Sequence, residues 1–551
     1  MHFLIIKLYV FMKPKYLLKI IVASIAVALI AGCRQVLDTP SYGFYNESEI
    51  LKTETDANGL LLGAYSEMTK RNWNLFHNCY WIVIDFDNDH VVGPNWAMGT
   101  IGSGAFQGFW GMDRVWSGLF SIVNRCNQVL EKVPAMSIDE TVKNNVLGEA
   151  QALRAWAYFT LVRMYGELPL RPKSMEADPA VKVPRSPIGE VYKFIVSDLK
   201  TAIPKLLPKG HPKGGGVGRL NKPAAHAILA HVYLTMASGN QKGISISVRG
   251  GKETDNTAKK YTQSGVAGYE TFDSQEYFKK SRAASDSIIK GNSGGSFDLA
   301  PYPDVFSKAQ INGTEALWYL QFKAGTDVIN NMSLWYNTTD PKLGYGGWVW
   351  VSNNFYDSFE ETDLRALKGI KHQFIADGPA PYFYPQRDAA KYAWTWNDMP
   401  ARYLNRAFLT KYFDVSNSAL QETDGSFFLE RFANVLLMFA EAENEVNGPT
   451  AAAYDALNRV RRRSKASEAP PAMTQEEFRS FVLEERGKEL AQECTRKFDL
   501  LRRDIYLQVM NAIAIDQENN VKSRSKKHLL YPIPQSDIDA SNKAVVQNPG
   551  W

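Results

Sequence analysis

The chain has few cysteines, only Cys33, Cys79, Cys126 and Cys494 among 551 residues. None forms a CxxC pair and no Cys/His spacing suits zinc, so a zinc-ribbon or redox-motif reading is excluded. It lacks a membrane span: the apolar run from Ile20 to Ile30 falls short of the roughly 20 residues that a spanning helix needs. It also lacks the common catalytic signatures. Gly99, Gly102, Gly104 and Gly108 do not form GxGxxG, and no Walker lysine or GxSxG elbow occurs. His226 and His231 are spaced too far apart to share a helix face as an HExxH pair would. Asp85, Asp87 and Asp89 begin like a calcium loop, but His90 and Trp96 stand where that loop needs Gly and Glu. No metal, no cofactor and no catalytic residue is therefore expected.

A bias of charge is missing too. The formal net charge is +5, but residues 1–32 hold four lysines (Lys7, Lys13, Lys15, Lys19) and no acid. The remainder has 59 basic and 58 acidic side chains. Nothing in that balance suggests nucleic acid or an anionic surface as partner.

What is present begins at the N-terminus. Lys13, Lys15 and Lys19 precede the apolar run, which ends in Ile30-Ala31-Gly32-Cys33. This is the pattern of a bacterial secretory signal with a lipobox. Cleavage before Cys33 would leave it as the acylated N-terminus, held on a bilayer at about 0.8 kcal/mol per buried methylene. Met12 makes a better start than Met1, because the earlier apolar residues do not belong ahead of a basic n-region. With Cys33 lipidated, three cysteines remain, so a disulfide framework does not hold the fold.

Helical periodicity dominates the rest. Helices are expected over 46–70, 114–132, 141–165, 188–202, 222–238 and 278–290, and again from about Phe428. Gly166 and Pro169 end the third, while Pro187 and Pro223 open the fourth and fifth. RAWAYFTLVRMY, AAHAILAHVYL and ANVLLMFAEAE alternate alanines with large apolar residues, the packing logic of antiparallel helix pairs such as tetratricopeptide repeats. Residues 71–112 read as a long aromatic loop, 239–270 as a polar insertion, and 296–425 as a break in the helical pattern with a short strand at Ala316–Phe322. The Glu485/Glu489/Glu493 stripe puts three carboxylates on one helix face. It is expected to form a structural ion network with Arg486, Arg496 and Arg503 rather than a catalytic pair.

Five strings, in order, carry a resemblance. They are RFANVLLMFAEAENEVNG from Arg431, Leu457-Asn458-Arg459-Val460-Arg461, VLEERGKELAQECTRKFDLLRRD from Val482, YPIPQSDI from Tyr531 and the terminal Gln547-Asn548-Pro549-Gly550-Trp551. RLNKPAA (Arg219, Lys222, Ala224, Ala225) and Cys33 with Leu37, Asp38 and Pro40 extend it to the whole mature chain. The pattern resembles the SusD/RagB family of surface nutrient-capturing lipoproteins. The resemblance implies a mostly α fold of tetratricopeptide-like helix pairs with long irregular loops and a few short strands. After the 1–32 signal, a 33–240 part and a 241–551 part would pack into one globular unit. It also implies a lipid anchor at Cys33, an outer-membrane location facing the exterior, and partnership with a SusC-like TonB-dependent transporter. Arg34-Gln35 lacks the acidic run that often accompanies surface export, so surface exposure rests on the resemblance.

The implied activity is capture of an oligo- or polysaccharide without bond cleavage. Capture of peptides, as in RagB-like members, is the alternative, and a surface hydrolase a second. Sugar rings offer flat C–H faces to aromatics and hydroxyls to polar side chains. Trp116, Trp156 and Trp318 lie on regular elements and are expected in the core. The loop residues Trp73, Asn78, Trp81, Trp96, Trp110, Tyr345, Trp348, Trp350 and Asn353 are the ligand-binding candidates. Asn74, Asn95 and Asn354 are further polar choices, and Trp394 and Trp396 further loop tryptophans.

Overall fold

Small residues on helix faces set this architecture. The structure, a computed structural model, describes residues 51–551 apart from 71–74, 253–254, 303, 311, 337–346, 372, 375–381, 384–406 and 413–423. The signal, the Cys33 anchor, Trp73, Asn74, Tyr345, Trp394 and Trp396 lie outside the described residues. Helix α1 (Glu54–Thr69) starts later than its periodicity suggests because Thr53 caps it: the Thr53 side chain accepts from the Asp56 N–H and Asp56 answers on the Thr53 N–H. Helix α2 is Met112–Lys132. Helix α3 (Glu140–Tyr165) is capped by Asp139 and ends at Gly166, whose φ of 74° suits glycine. Helix α4 (Ile188–Ala202) follows Pro187. Helix α5 (Lys222–Gly239) is capped by Asn221 and carries Pro223 in its first turn. Helix α6 is Ser274–Ile289.

Later in the chain come α7 (Phe432–Asn447), α8 (Ala451–Arg463), α9 (Gln475–Glu489), α10 (Arg496–Arg502) and α11 (Tyr506–Ile513). Helices consecutive in sequence pack together: α1 on α2, α2 on α3, α3 on α4, then α5 on α6, α6 on α7, and α7 on both α8 and α9. Ala150, Ala155 and Ala157 of α3, Ala227 and Ala230 of α5 and Ala440 and Ala442 of α7 are fully buried. They let backbones approach while Phe278, Phe432, Leu436, Leu457 and Phe478 fill the space between. Thr53–Trp551 forms one compact unit.

The short strands connect distant parts of the chain. Strands β1 (Val91–Val92) and β5 (Trp350–Val351) pair antiparallel, with Val92 opposite Trp350. Strands β2 (Ser245–Arg249) and β3 (Ala258–Thr262) form a hairpin inside the stretch expected to be an insertion. Strand β4 (Ala316–Leu320) pairs with β6 (Phe427–Arg431), so the chain enters α7 from a strand, not from a helix at 428.

Residues 71–112 depart most from expectation. Leu75–Cys79 is a π-helical turn and Tyr80–Asp85 an α-helix, and every residue in both is buried. A segment buried all round shows no amphipathic period, which is why it reads as a loop. The alternating aspartates that follow fasten it to the C-terminal part. Asp87 meets Lys497 at 2.6 Å and Arg524 at 2.8 Å and accepts from the Tyr506 hydroxyl at 2.6 Å; Asp89 meets Arg496 at 2.6 Å. Burial alone would raise both carboxyls, but these cations hold them well below the usual range.

The Glu485/Glu489/Glu493 stripe is an ion network, but with other partners than expected. Helix α9 stops at Glu489, and a turn with positive φ at Gln492 and Cys494 carries Glu493 onward. Glu485 meets Arg365 and Arg461, each at 2.5 Å. Glu489 meets Arg431 at 2.7 Å, Arg365 at 3.2 Å and Arg463. Glu493 meets Arg431 at 2.7 Å and Lys411 at 2.5 Å. Arg486, Arg496 and Arg503 turn instead to Asp499, Asp89 and Glu441. Those three arginines are near the glutamates in sequence, while the true partners arrive from other segments that the fold brings in.

Two outcomes follow. Arg431→Met leaves Glu315, Glu489 and Glu493 with less compensation in a dry interior. It should lower unfolding free energy by about 3–5 kcal/mol, read as a shift in the urea midpoint. Asp85 behaves oppositely to its neighbours. It accepts the Cys494 N–H at 3.1 Å, and burial pushes its carboxyl from 3.8 up to about 7. The folded state therefore binds this proton more tightly than the unfolded chain. Its contribution to stability is full below about pH 4 and is lost as pH rises through about 7. In Asp85→Asn the stability profile should be flatter across that window, and the variant should gain on the wild type at pH 8; equal slopes for the two proteins would contradict this.

Candidate functional site

Strand pairing builds an aromatic surface. Because β1 lies on β5, the residues after Val92 and before Trp350 are neighbours. Gly93 sits where they meet: a Cβ there would lie 2.6 Å from the Trp348 carbonyl oxygen, so a larger residue must push the two segments apart. Pro94 then opens a short helix, Asn95–Met98, which lifts Trp96 into solvent. A second short helix, Met332–Tyr336, carries Trp335. Its Trp335 carbonyl accepts from the N–H groups of Trp348 (3.0 Å) and Val349 (2.9 Å), which fixes Trp348 beside it.

Three indole rings meet here. Trp96 and Trp348 are 5.1 Å apart at 77°, Trp335 and Trp348 4.9 Å apart at 89°, and Trp96 and Trp335 6.4 Å apart at 41°. Trp96 is 65% exposed; Trp335 and Trp348 are half-buried. Asn95, beside Trp96, is exposed and carries an amide that can bond hydroxyls. Behind Trp335 stand Trp81, at 6.1 Å and edge-on, and Phe86 at 5.6 Å. A rigid aromatic backing means the exposed rings lose little freedom when something stacks on them.

The structure therefore sorts the candidates. Trp96 and Trp348 share one surface. Trp81 and Trp350 are buried, as is Asn78, so the loop reading of these three is corrected: they have no face to offer a ligand. Trp81 supports the platform from beneath, and Trp350 packs on Phe408 within the strand pair. Trp110 is half-exposed on a separate patch with Phe109 and Arg114. The Asn353 N–H donates to Gln517, and the Asn354 side chain binds carbonyls of the β2–β3 turn. The sequence reading missed Trp335. Its only local signal is a tryptophan in a short Asn-flanked segment, NNMSLWYN.

Among the described residues, no carboxylate pair or nucleophile stands among these rings. Among the described residues no cluster of His, Cys, Asp and Glu could hold a metal ion. Cys79, Cys126 and Cys494 are buried and form no disulfide among the described residues. His231 is engaged with Glu430 at 3.0 Å.

The family model described as "SusD family" matches residues 382–551, and the one described as "Starch-binding associating with outer membrane" matches 48–234. The chain belongs to the SusD/RagB family. It is 22% identical to the SusD-like protein P2 of Formosa agariphila, over 95% of this chain and 97% of that one. A SusD homolog from Bacteroides thetaiotaomicron shares the fold with a TM-score of 0.74 and 22% identity, over 90% of this chain and 97% of the other. Surface glycan-binding protein A of the same organism, solved with laminarihexaose, has a TM-score of 0.66 and 17% identity, over 90% and 100% of the two chains. These likenesses establish the mostly helical scaffold of tetratricopeptide-like pairs.

The family motifs acquire structural meaning. Arg219 of RLNKPAA pairs with buried Glu149 at 2.7 Å. Glu441 of the α7 motif binds Arg502 and Arg503. Asn548 donates to the carbonyls of Tyr165 and Tyr531, closing the C-terminus onto α3. All of these hold the scaffold and leave the choice of ligand to the loops.

The close approach at Gly93 gives a direct check. Gly93→Val should leave helical content unchanged but separate Trp96 from Trp348, raising the acrylamide quenching of tryptophan fluorescence. An unaltered quenching constant would show that the pairing does not position the rings.

Proposed function

We propose that this SusD/RagB-family chain is a non-enzymatic glycan-binding protein whose ligand stacks on Trp96, Trp335 and Trp348. The observation that carries the reading is this trio of mutually packed, outward-facing indoles beside an exposed asparagine. Indoles at steep mutual angles make a concave rather than flat surface, suited to a curved run of sugar rings. Each ring's C–H face is dehydrated against carbon, while its hydroxyls stay at the rim, where Asn95 and water can bond them. Proteins of the same fold, among them a glycan-binding protein in complex with laminarihexaose, support a carbohydrate ligand.

The cellular setting follows from the family and the N-terminus. Cleavage before Cys33 and acylation would anchor the protein to the outer membrane, an association that the description of one matching family model also carries. Facing the exterior, it would hold oligo- or polysaccharide over a SusC-like TonB-dependent transporter and release it for uptake. The candidates Trp73 and Tyr345, outside the described residues, remain part of this proposal.

Calorimetry of the mature chain from Arg34 against polysaccharides, oligosaccharides and peptides, with product analysis of the same samples, tests it. We expect saturable binding to one glycan class with no cleavage. Trp96→Ala and Trp335→Ala should each weaken it about 10- to 100-fold, or about 1.4–2.8 kcal/mol, while Trp110→Ala leaves it unchanged. Peptide binding that is indifferent to these indoles, or product formation, would overturn the reading.

A further inference from the structure

A second cavity, sharing no lining residue with the tryptophan cluster, lies between the end of α3, α10 and the 526–530 segment. It is open to solvent on one side and has a volume of about 180 Å³, room for one small organic group. Its walls are largely apolar, with Ile188, Val266, Leu501, Leu529 and Leu530 among them. One charged side chain in that wall, the half-buried Arg163, is unlike the buried arginines of the interior. Arg154, Arg219, Arg365, Arg431, Arg486 and Arg502 each meet a carboxylate. Arg163 meets none among the described residues. Its guanidinium is sandwiched between Phe159 and Phe498, at 3.9 and 4.1 Å from the ring centroids. Its only hydrogen bond runs from Nε to the Phe159 carbonyl at 3.1 Å.

The two Nη groups are therefore donors held by stacking, with no acceptor supplied by the protein. Such an arrangement fits a planar bidentate acceptor, which a carboxylate provides. Lys526 and Lys527 also line this cavity, against one acid, Asp504, whose carboxylate already accepts the Ser264 N–H. Arg502, also in the wall, is committed to Glu441 and Asp499. The uncompensated charge is thus positive and stands in an apolar chamber. Burial lowers the proton affinity of Arg163, and the Glu430 carboxylate, itself engaged with His231 and Asn434, offsets this only in part.

We propose that this cavity binds a small organic anion, a carboxylate carried on an apolar body, with the carboxylate on Arg163 and the body against Val266, Leu501 and Leu529. A neutral sugar lacks both the charge and the apolar volume, so this ligand differs from the one proposed for the tryptophan cluster.

The test titrates the mature chain with 2-naphthoate and with decanoate, and with neutral 2-naphthamide as control. One saturable site is expected for at least one acid, and binding of the amide at least tenfold weaker. Preference between the acids separates an aromatic from an aliphatic body. Arg163→Met should weaken the acid at least tenfold and bring it level with the amide. Val266→Trp, which plugs the chamber from a half-buried position, should abolish both and keeps the test valid if Arg163→Met does not fold. Trp110→Ala, which lies outside both sites, should leave acid binding unchanged. Absence of saturable binding by either acid, amide binding equal to acid binding, or insensitivity to both cavity variants would overturn the proposal.

Discussion

Everything in this protein hangs on carboxylates buried at the end of α9 and in the turn beyond it. Glu485, Glu489 and Glu493 sit in the interior and meet cations from four separate stretches: Arg365, Lys411, Arg431, and the pair Arg461 and Arg463. Charges without water are tolerated only in matched geometry, so each of these stretches has one place to go. Three guanidiniums around Glu489 outweigh its burial and keep it ionised far below the usual carboxylate range. What such a network contributes is uniqueness: a shift of any one stretch would strand a charge. A helix-rich scaffold needs that kind of constraint, because alanine-faced helices could otherwise slide.

The ligand surface inherits its geometry from the same logic. Asp87 and Asp89 tie the buried 75–92 segment to Lys497, Arg524 and Arg496. That positions β1, β1 positions β5, and the two strands deliver Trp96 and Trp348 to one place. Loops can vary in ligand-facing residues while their stems stay pinned. Arg496, one of these pins, belongs to the motif that runs from Val482 to Asp504.

The helices were legible because their ends are written locally. Asp139 and Gly166 bound α3, and Asn221 with Pro223 opens α5. Two kinds of information were not. The Tyr80–Asp85 helix shows no period, being buried on every side. The charge partners of Glu485 and Glu489 come from far away in sequence, whereas the arginines that look right on spacing serve Asp499, Asp89 and Glu441. The site was half visible. Loop position picked out Trp96, which is exposed, and Trp348, which is half-buried beside it, but also Trp81 and Trp350, because a loop in sequence can be core in space. Trp335 escaped since nothing local distinguishes it; only the 3.0 Å bond from the Trp348 N–H to its carbonyl shows where it belongs.

The central claim is that pinned loops present Trp96, Trp335 and Trp348 as a single glycan-stacking surface. A crystal structure of the mature chain with the best-binding oligosaccharide tests it most directly. The account predicts a sugar ring lying within stacking distance of at least two of these indoles, with the buried ion network unmoved. A sugar seated elsewhere with the three rings bare, or a cluster dispersed in the complex, would contradict it.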